Sequence, residues 1–456
     1  MSRRLLRGIG ANMMGIATRI VVQFATLPIL FAHWSSERIG VWLLIFALPA
    51  YVAIVGTGFA GAGGSASLAA AQAGDQADAR AKFRAAWIVT SLGTVALAAA
   101  FFLGGERMAA WLAGDAPGVA RGDVVEALGW LALYILASSQ MAVAEIPYRV
   151  AHRYPDHILL TSLATLAEVG VIALCVSLSQ SLGLLAMALA LARCLTGAAI
   201  LLAARKACPT VFGGPQRGVM GQHVRALAKP SLAFMAMPVI FGLNLQGYLI
   251  LVGARYGPAV VAAFAATRTL TRLLDLIANL TYGVHYYESG YLTGERRVLQ
   301  GRVLATMTLV AAVLSLAVSA ALLAAGPWLQ RVYTGGETAF DPMIATVLLI
   351  AASLRALSSA PMAIVSAENR HAPIIALYLA GSVLSLALAA GLSAAGVPLA
   401  LCLGGLILAE ATQLAAALRM ALRDLHLTPG AFARSLLSRE RLADAARLVR
   451  ILRRAR

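Results

Sequence analysis

GIGANMMGIATRIVVQFATLPILF, residues Gly8 to Phe31, is an apolar run long enough to cross a bilayer, with Arg19 near its middle. A spanning helix needs about 20 such residues to cross ~30 Å of hydrocarbon. A cation at that depth costs at least ~2.5–3.5 kcal/mol on insertion scales, so it turns toward protein or water and marks a path for a substrate or ion. Arg193, Arg268, Arg272 and Arg355 also stand inside apolar runs. An arginine-lined cavity suits an anionic passenger.

Working outward, the whole chain has this character. Of its 456 residues, 60% are hydrophobic and 12% charged, and the mean hydropathy is +0.80. No soluble fold of this size buries so much apolar surface. Twelve runs are long enough to span, centred near Arg19, Ala47, Thr94, Tyr134, Ala167, Arg193, Phe241, Thr269, Leu314, Leu354, Val383 and Gly405. The expectation is an all-α, polytopic membrane protein of about 12 transmembrane helices. The first run follows Arg3, Arg4 and Arg7, as a signal peptide would, but it is too long, and Ala32-His33-Trp34 offers no small-x-small cleavage site. Cys175, Cys194, Cys208 and Cys402 show no CxxC spacing and read as small hydrophobes, so no metal, cofactor or disulfide is expected.

Positive charge orients the spans. With the amino terminus cytoplasmic, 27 of the 37 Lys and Arg residues fall inside, 5 outside and 5 within the membrane. Both termini are therefore expected in the cytoplasm. The net charge of +17 reflects topology and anionic lipid, not nucleic acid. Arginine outnumbers lysine 34 to 3, so its choice over lysine at one site says little; its presence at mid-membrane says more.

The chain repeats itself at a spacing of 217 to 220 residues: Gly74-Asp75 with Gly294-Glu295, Trp111 with Trp328, and Arg153 with Arg370. Two parallel six-helix lobes related by a pseudo-two-fold axis along the membrane normal follow, with a site expected where they face each other. The expected organisation is a lobe over 1–205, a cytoplasmic loop over 206–229, a second lobe over 230–418 and a basic tail over 419–456. In that tail Leu442, Ala445, Ala446, Val449 and Leu452 share one helical face, which reads as an amphipathic helix on the anionic leaflet.

Intramembrane polar residues fall on faces. Asn12, Arg19 and Gln23 lie within about 40° of one another on the first helix, and Arg268, Arg272, Asp275 and Asn279 form a stripe on the eighth. Interhelical hydrogen bonding, with Asp275 neutralising Arg272, competes with a substrate site there. Glu168 and Arg193 stand 13 and 12 residues either side of Ser181, at equal depth on adjacent antiparallel helices, and read as a structural ion pair. Arg355 shows no such partner and is placed in the cavity, while Glu145 and Glu410, near span ends, read as solvated surface. Pro28, Pro49 and Pro238 interrupt spans as kinks or hinges.

Several short motifs resemble one family: Gly10-Ala11-Asn12 with Arg19 and Gln23, Glu37-Arg38-Ile39-Gly40-Val41-Trp42, Arg268-Thr269-Leu270-Thr271-Arg272-Leu273, Tyr333-Thr334-Gly335-Gly336 and Asn369-Arg370-His371. In order and spacing the chain resembles Wzx-type O-antigen and polysaccharide flippases, of the superfamily that includes the multidrug and toxin extruders. The resemblance implies alternating access that moves an undecaprenyl-diphosphate-linked oligosaccharide across the bacterial inner membrane. It further implies a cationic lumen in which Arg19, Arg268 and Arg272 serve as cations, and a polysaccharide polymerase and chain-length regulator as partners. Related lipid II flippases usually have two further helices, which this sequence lacks. One alternative is a multidrug or cation antiporter of the same fold, although such proteins typically present a membrane-embedded acid where this chain has Arg19. Another is a polytopic polymerase or ligase, which usually needs a large periplasmic loop; the longest outside segment here, Gly104 to Asp123, is about twenty residues.

Overall fold

The computed structural model describes residues 3–113, 116–214, 218–289, 297–367, 370–436 and 438, with side chains throughout except those of 3–9, 12, 48–57, 113, 233, 284, 287–289 and 297–298. The described residues are helical, with no strand. In order the helices are α1 (Arg3–Phe31), α2 (Ser36–Gln72), α3 (Gln76–Ala113), α4 (Arg121–Val150), α5 (Tyr154–Leu178), α6 (Leu182–Ala207), α7 (Pro209–Phe212), α8 (Met220–Gly242), α9 (Tyr248–Tyr256), α10 (Pro258–Thr271), α11 (Leu274–Ser289), α12 (Arg297–Tyr333), α13 (Pro342–Ala367), α14 (Ala372–Ala394), α15 (Leu399–Cys402), α16 (Gly404–Asp424) and α17 (Pro429–Leu436). A π-helical turn, Leu243–Gly247, joins α8 to α9 in one rod five residues after Pro238.

Each of the twelve expected span centres falls in a separate rod, if α8 with α9, α10 with α11, and α15 with α16 are each taken as one. Among the described residues ten helices are long and apolar enough to cross a membrane. The eighth rod is divided into pieces of 14 and 16 residues, each too short alone. Leu103, Leu178, Leu195 and Leu316 are exposed on the outside of their rods, a surface that suits lipid and not water. The amphipathic face expected around Leu442 to Leu452 lies outside the described residues.

Polar side chains fix where several rods begin. Asp123, in the first turn of α4, accepts from Ser181 Oγ at 2.6 Å and from the Leu182 and Gly183 amides at 2.8 and 2.9 Å. Ser181 Oγ in turn accepts from Leu184 N at 3.1 Å, so the free amides at the start of α6 are satisfied from two sides. Asp341 does the same for α13 through the amides of Met343 and Ile344. Gly257, at φ +86°, ends α9 in a conformation that suits glycine, and Pro258 opens α10.

The break in the eighth rod has local hydrogen-bond geometry that explains it. Leu273 N bonds to Leu270 O, Asp275 N to Arg272 O and Leu276 N to Leu273 O, all from residue i to i−3. In such an overwound turn side chains three apart eclipse each other. Arg272 and Asp275 are brought together by that eclipse.

By packing, the chain divides into a first unit, Met1–Ala263 with Tyr333–Thr338, and a second, Phe264–Val332 with Ala339–Arg456. Inside the first, α2 packs on α4, α4 on α6 and α6 on α5. Inside the second, α11 packs on α13, α13 on α16 and α16 on α14. These are the same three pairings displaced by six spans, so the repeat seen in the sequence recurs in the packing. The first unit also takes in α8 and α9 against α2. There a β-carbon at Gly40 would collide with the carbonyl of Pro258, so only glycine allows this approach. Short α7 is bound to α3: Arg80 and Arg84 donate to the carbonyls of Thr210 and Phe212 at 3.1 and 3.3 Å, and Val211 is buried with Phe83 and Ile146.

Candidate functional site

Three arrangements hold the polar residues expected within the membrane. The simplest is on α1. Arg19 is exposed, and among the described residues nothing donates to it, accepts from it or pairs with its charge. Gln23 lies one turn further, half-buried, its carbonyl accepting from Tyr333 Oη at 3.4 Å within the same unit. Asn12 is helical, and its side chain lies outside the described residues.

The second arrangement is a triad in the first unit. Glu168 Oε2 accepts from Arg193 Nη2 and from Tyr134 Oη, the latter at 3.3 Å. Arg193 Nη2 also donates to Tyr134 Oη at 2.6 Å, and its guanidinium lies over the tyrosine ring, 4.8 Å from the centroid. Three helices, α4, α5 and α6, are cross-linked at one depth. Glu168 Oε1 is buried and has no hydrogen-bond partner among the described residues.

The third is a chain of alternating charge in the second unit. Asp275 Oδ2 accepts from Arg272 Nε at 3.1 Å, and its Oδ1 from Arg355 Nη1 at 3.0 Å. Arg355 Nε and Nη2 donate to Glu410 Oε1 at 3.0 and 2.6 Å, and Tyr378 Oη donates to the same oxygen at 2.9 Å. Side-chain exposure falls along the chain, from 37% at Arg272 through 24% at Asp275 and 23% at Arg355 to 0% at Glu410. Its two cations and two carboxylates sum to zero, the condition under which buried charges are tolerated. Glu410 Oε2, like Glu168 Oε1, is buried with no hydrogen-bond partner among the described residues.

Two expectations change here. Arg355, for which the sequence shows no partner, is held between two carboxylates. Glu410, expected on solvated surface, is buried, because the α15–α16 rod covers 399–424 and places residue 410 at its middle and not at its end. The stripe expected on the eighth helix runs up to the overwound turn at 272–273: Arg272 N bonds to Arg268 O at 3.1 Å, and the Arg268 guanidinium lies 5.2 Å from the Phe264 ring centroid. Asn279 is exposed.

Tyr134, Tyr378 and Glu410 are the members that sequence reasoning missed. One signal was available: Glu410 stands 217 residues after Arg193, the spacing of the repeat. A carboxylate at the repeat position of a paired arginine points to a paired carboxylate.

No family model and no curated protein sequence matches this chain. Its structure is similar to solved membrane transporters. The inward-facing conformation of a multidrug resistance MATE family transporter of the MOP superfamily matches with a TM-score of 0.71 over 89% of this chain and 94% of that one, at 14% identity. The lipid II flippase MurJ in an inward closed conformation matches with a TM-score of 0.65 over 94% and 90%, at 11% identity. A MOP superfamily transporter from Pyrococcus furiosus, described as having a binding pocket of reverse polarity, matches at 0.56 over 93% and 95%, with 14% identity. The chain is an all-α, multi-pass membrane protein with a transporter fold. That fold is the one shared by MATE transporters and the flippase MurJ.

Proposed function

We propose that this protein is an alternating-access flippase that moves an undecaprenyl-diphosphate-linked oligosaccharide across the bacterial inner membrane for O-antigen, capsule or exopolysaccharide synthesis. The observation that carries the reading is Arg19, a mid-span cation that is exposed and unpaired among the described residues, where Arg193, Arg272 and Arg355 are each held by carboxylates. A charge kept at such depth without a counter-ion is available to an anionic ligand. A diphosphate fits a guanidinium through paired, charge-assisted hydrogen bonds, and an organic cation is repelled by it. The shared fold with a lipid II flippase supports a lipid-linked passenger.

In this reading Asn12, Gln23, Arg268 and Arg272 contribute to the same passenger, Asp275 couples its charge to the driving force, and Glu168 with Arg193 is structural. Both termini are cytoplasmic, two six-helix lobes meet the loop 206–229, and a polymerase and chain-length regulator act on the delivered product. The test is binding of geranylgeranyl diphosphate to purified protein in nanodiscs. Arg19→Ala weakens it at least about tenfold, and unchanged binding removes the assignment.

A further inference from the structure

The charge chain in the second unit has an exposed end and a buried end, and the buried end carries an oxygen with nothing bonded to it. We infer that Glu410 is a proton-binding site whose occupancy is set by an anion at Arg272, with Asp275 and Arg355 between them. The inference builds on the proposed anionic passenger and adds to it the residue that takes the proton.

At rest the charges of Arg272, Asp275, Arg355 and Glu410 cancel. Arg272 is the most exposed member and the one a phosphate reaches first. When it turns to an external anion, Asp275, Arg355 and Glu410 are left with a net charge of −1 in a buried site. That is costly, and the cheapest relief is a proton. Asp275 keeps Oδ1 on Arg355 and is the more exposed of the two carboxylates, so it holds its charge at lower cost than fully buried Glu410. Glu410 receives all its donors on Oε1, and Oε2 is buried and without a hydrogen-bond partner among the described residues. The proton, taken from solvent, forms its bond there. Around Glu410 stand Arg355 from α13 and Tyr378 from α14, with Asp275 and Arg272 of the α10–α11 break reached through Arg355.

The first unit supplies an internal comparison. Glu168 likewise has an arginine and a tyrosine on one oxygen and an unpartnered second oxygen, yet among the described residues its ion pairing ends at Arg193. Without a link to a more exposed cation, its protonation is not tied to an external anion. By reciprocity, an anion that raises proton affinity at Glu410 binds more tightly as pH falls, by up to about tenfold per pH unit across the titration.

The deciding experiment needs no ligand. Arg272→Ala, with Arg272→Gln as a second variant, leaves the cluster one charge short. Its infrared spectrum near neutral pH gains the carbonyl stretch of a protonated carboxyl, and the band disappears when Glu410→Gln is added but survives Glu168→Gln. Absence of the band in both Arg272 variants, or its survival with Glu410→Gln, overturns the assignment. Calorimetry with geranylgeranyl diphosphate in buffers of different ionisation enthalpy then counts about one proton taken up per anion in the wild type and none in Glu410→Gln. Binding without uptake overturns the relay. Failure of the diphosphate to bind at all overturns the proposed passenger, and the infrared result still decides the relay.

Discussion

Arg193 on α6 and Glu410 on α16 stand 217 residues apart on equivalent helices, with opposite charge, and each closes a triad of arginine, carboxylate and tyrosine. In the first unit the tyrosine, carboxylate and arginine come from α4, α5 and α6; in the second, α13, α14 and α16 supply arginine, tyrosine and carboxylate. The residue types are permuted around the same helix seam. Both halves keep the cross-link, and among the described residues only the second extends it, through Asp275, to a half-exposed arginine.

The first prediction concerns the closed triad. Breaking a buried pair by removing one partner leaves an uncompensated charge and costs about 3–5 kcal/mol. Glu168→Ala and Arg193→Ala each lower membrane abundance, read by quantitative immunoblotting of membranes, and the charge-swapped double variant regains most of it. Normal abundance with lost transport in both single variants would assign the pair to the passenger.

Asp275 behaves differently, because it bridges two arginines. Asp275→Asn removes the competitor of the anion for Arg272, so binding of a lipid diphosphate stays intact or tightens. Flipping slows and loses its dependence on an imposed pH or sodium gradient. Transport in proteoliposomes with and without each gradient checks this; wild-type rate and gradient dependence would make Asp275 a plain counter-ion.

Much of this arrangement was legible in the sequence. Apolar run length placed all twelve rods, since the bilayer fixes how long a span must be. Equal distance from the Ser181 turn brought Glu168 to Arg193, because antiparallel neighbours share depth. What distance along the chain does not encode is lateral neighbourhood. Arg355 and Glu410 are 55 residues apart on helices separated by α14, and their pairing depends on α13 lying against α16. The break at 272–273 was hidden for another reason: its residues carry no proline or glycine, and the overwinding is set by hydrogen bonding among Leu270, Arg272, Leu273 and their partners.

Close packing yields a third prediction. Gly40→Ala drives its new methyl group into the Pro258 carbonyl, so α2 and the start of α10 must part. Overpacking of this kind costs about 1–3 kcal/mol. Thermal unfolding in detergent drops by several degrees, whereas Gly122→Ala, with open space around it, leaves the midpoint near the wild-type value.

For Arg19, charge and geometry separate in one pair of variants. Arg19→Lys keeps the cation and loses the fork that grips two oxygens, so partial surface polysaccharide remains; Arg19→Ala abolishes it at near-normal protein abundance. Equal output from Arg19→Ala and wild type would contradict an anion site on α1.

A lipid-linked anion as passenger is open to a direct transport test. The most direct measurement places purified protein in liposomes with a fluorescent polyprenyl-diphosphate oligosaccharide in the donor leaflet, and scores its arrival in the other leaflet with a membrane-impermeant quencher. A parallel set of vesicles is loaded with an organic cation dye. The expected result is that the lipid-linked glycan crosses, that Arg19→Ala stops it, and that the dye stays where it was loaded. Export of the dye with no movement of the glycan would contradict it.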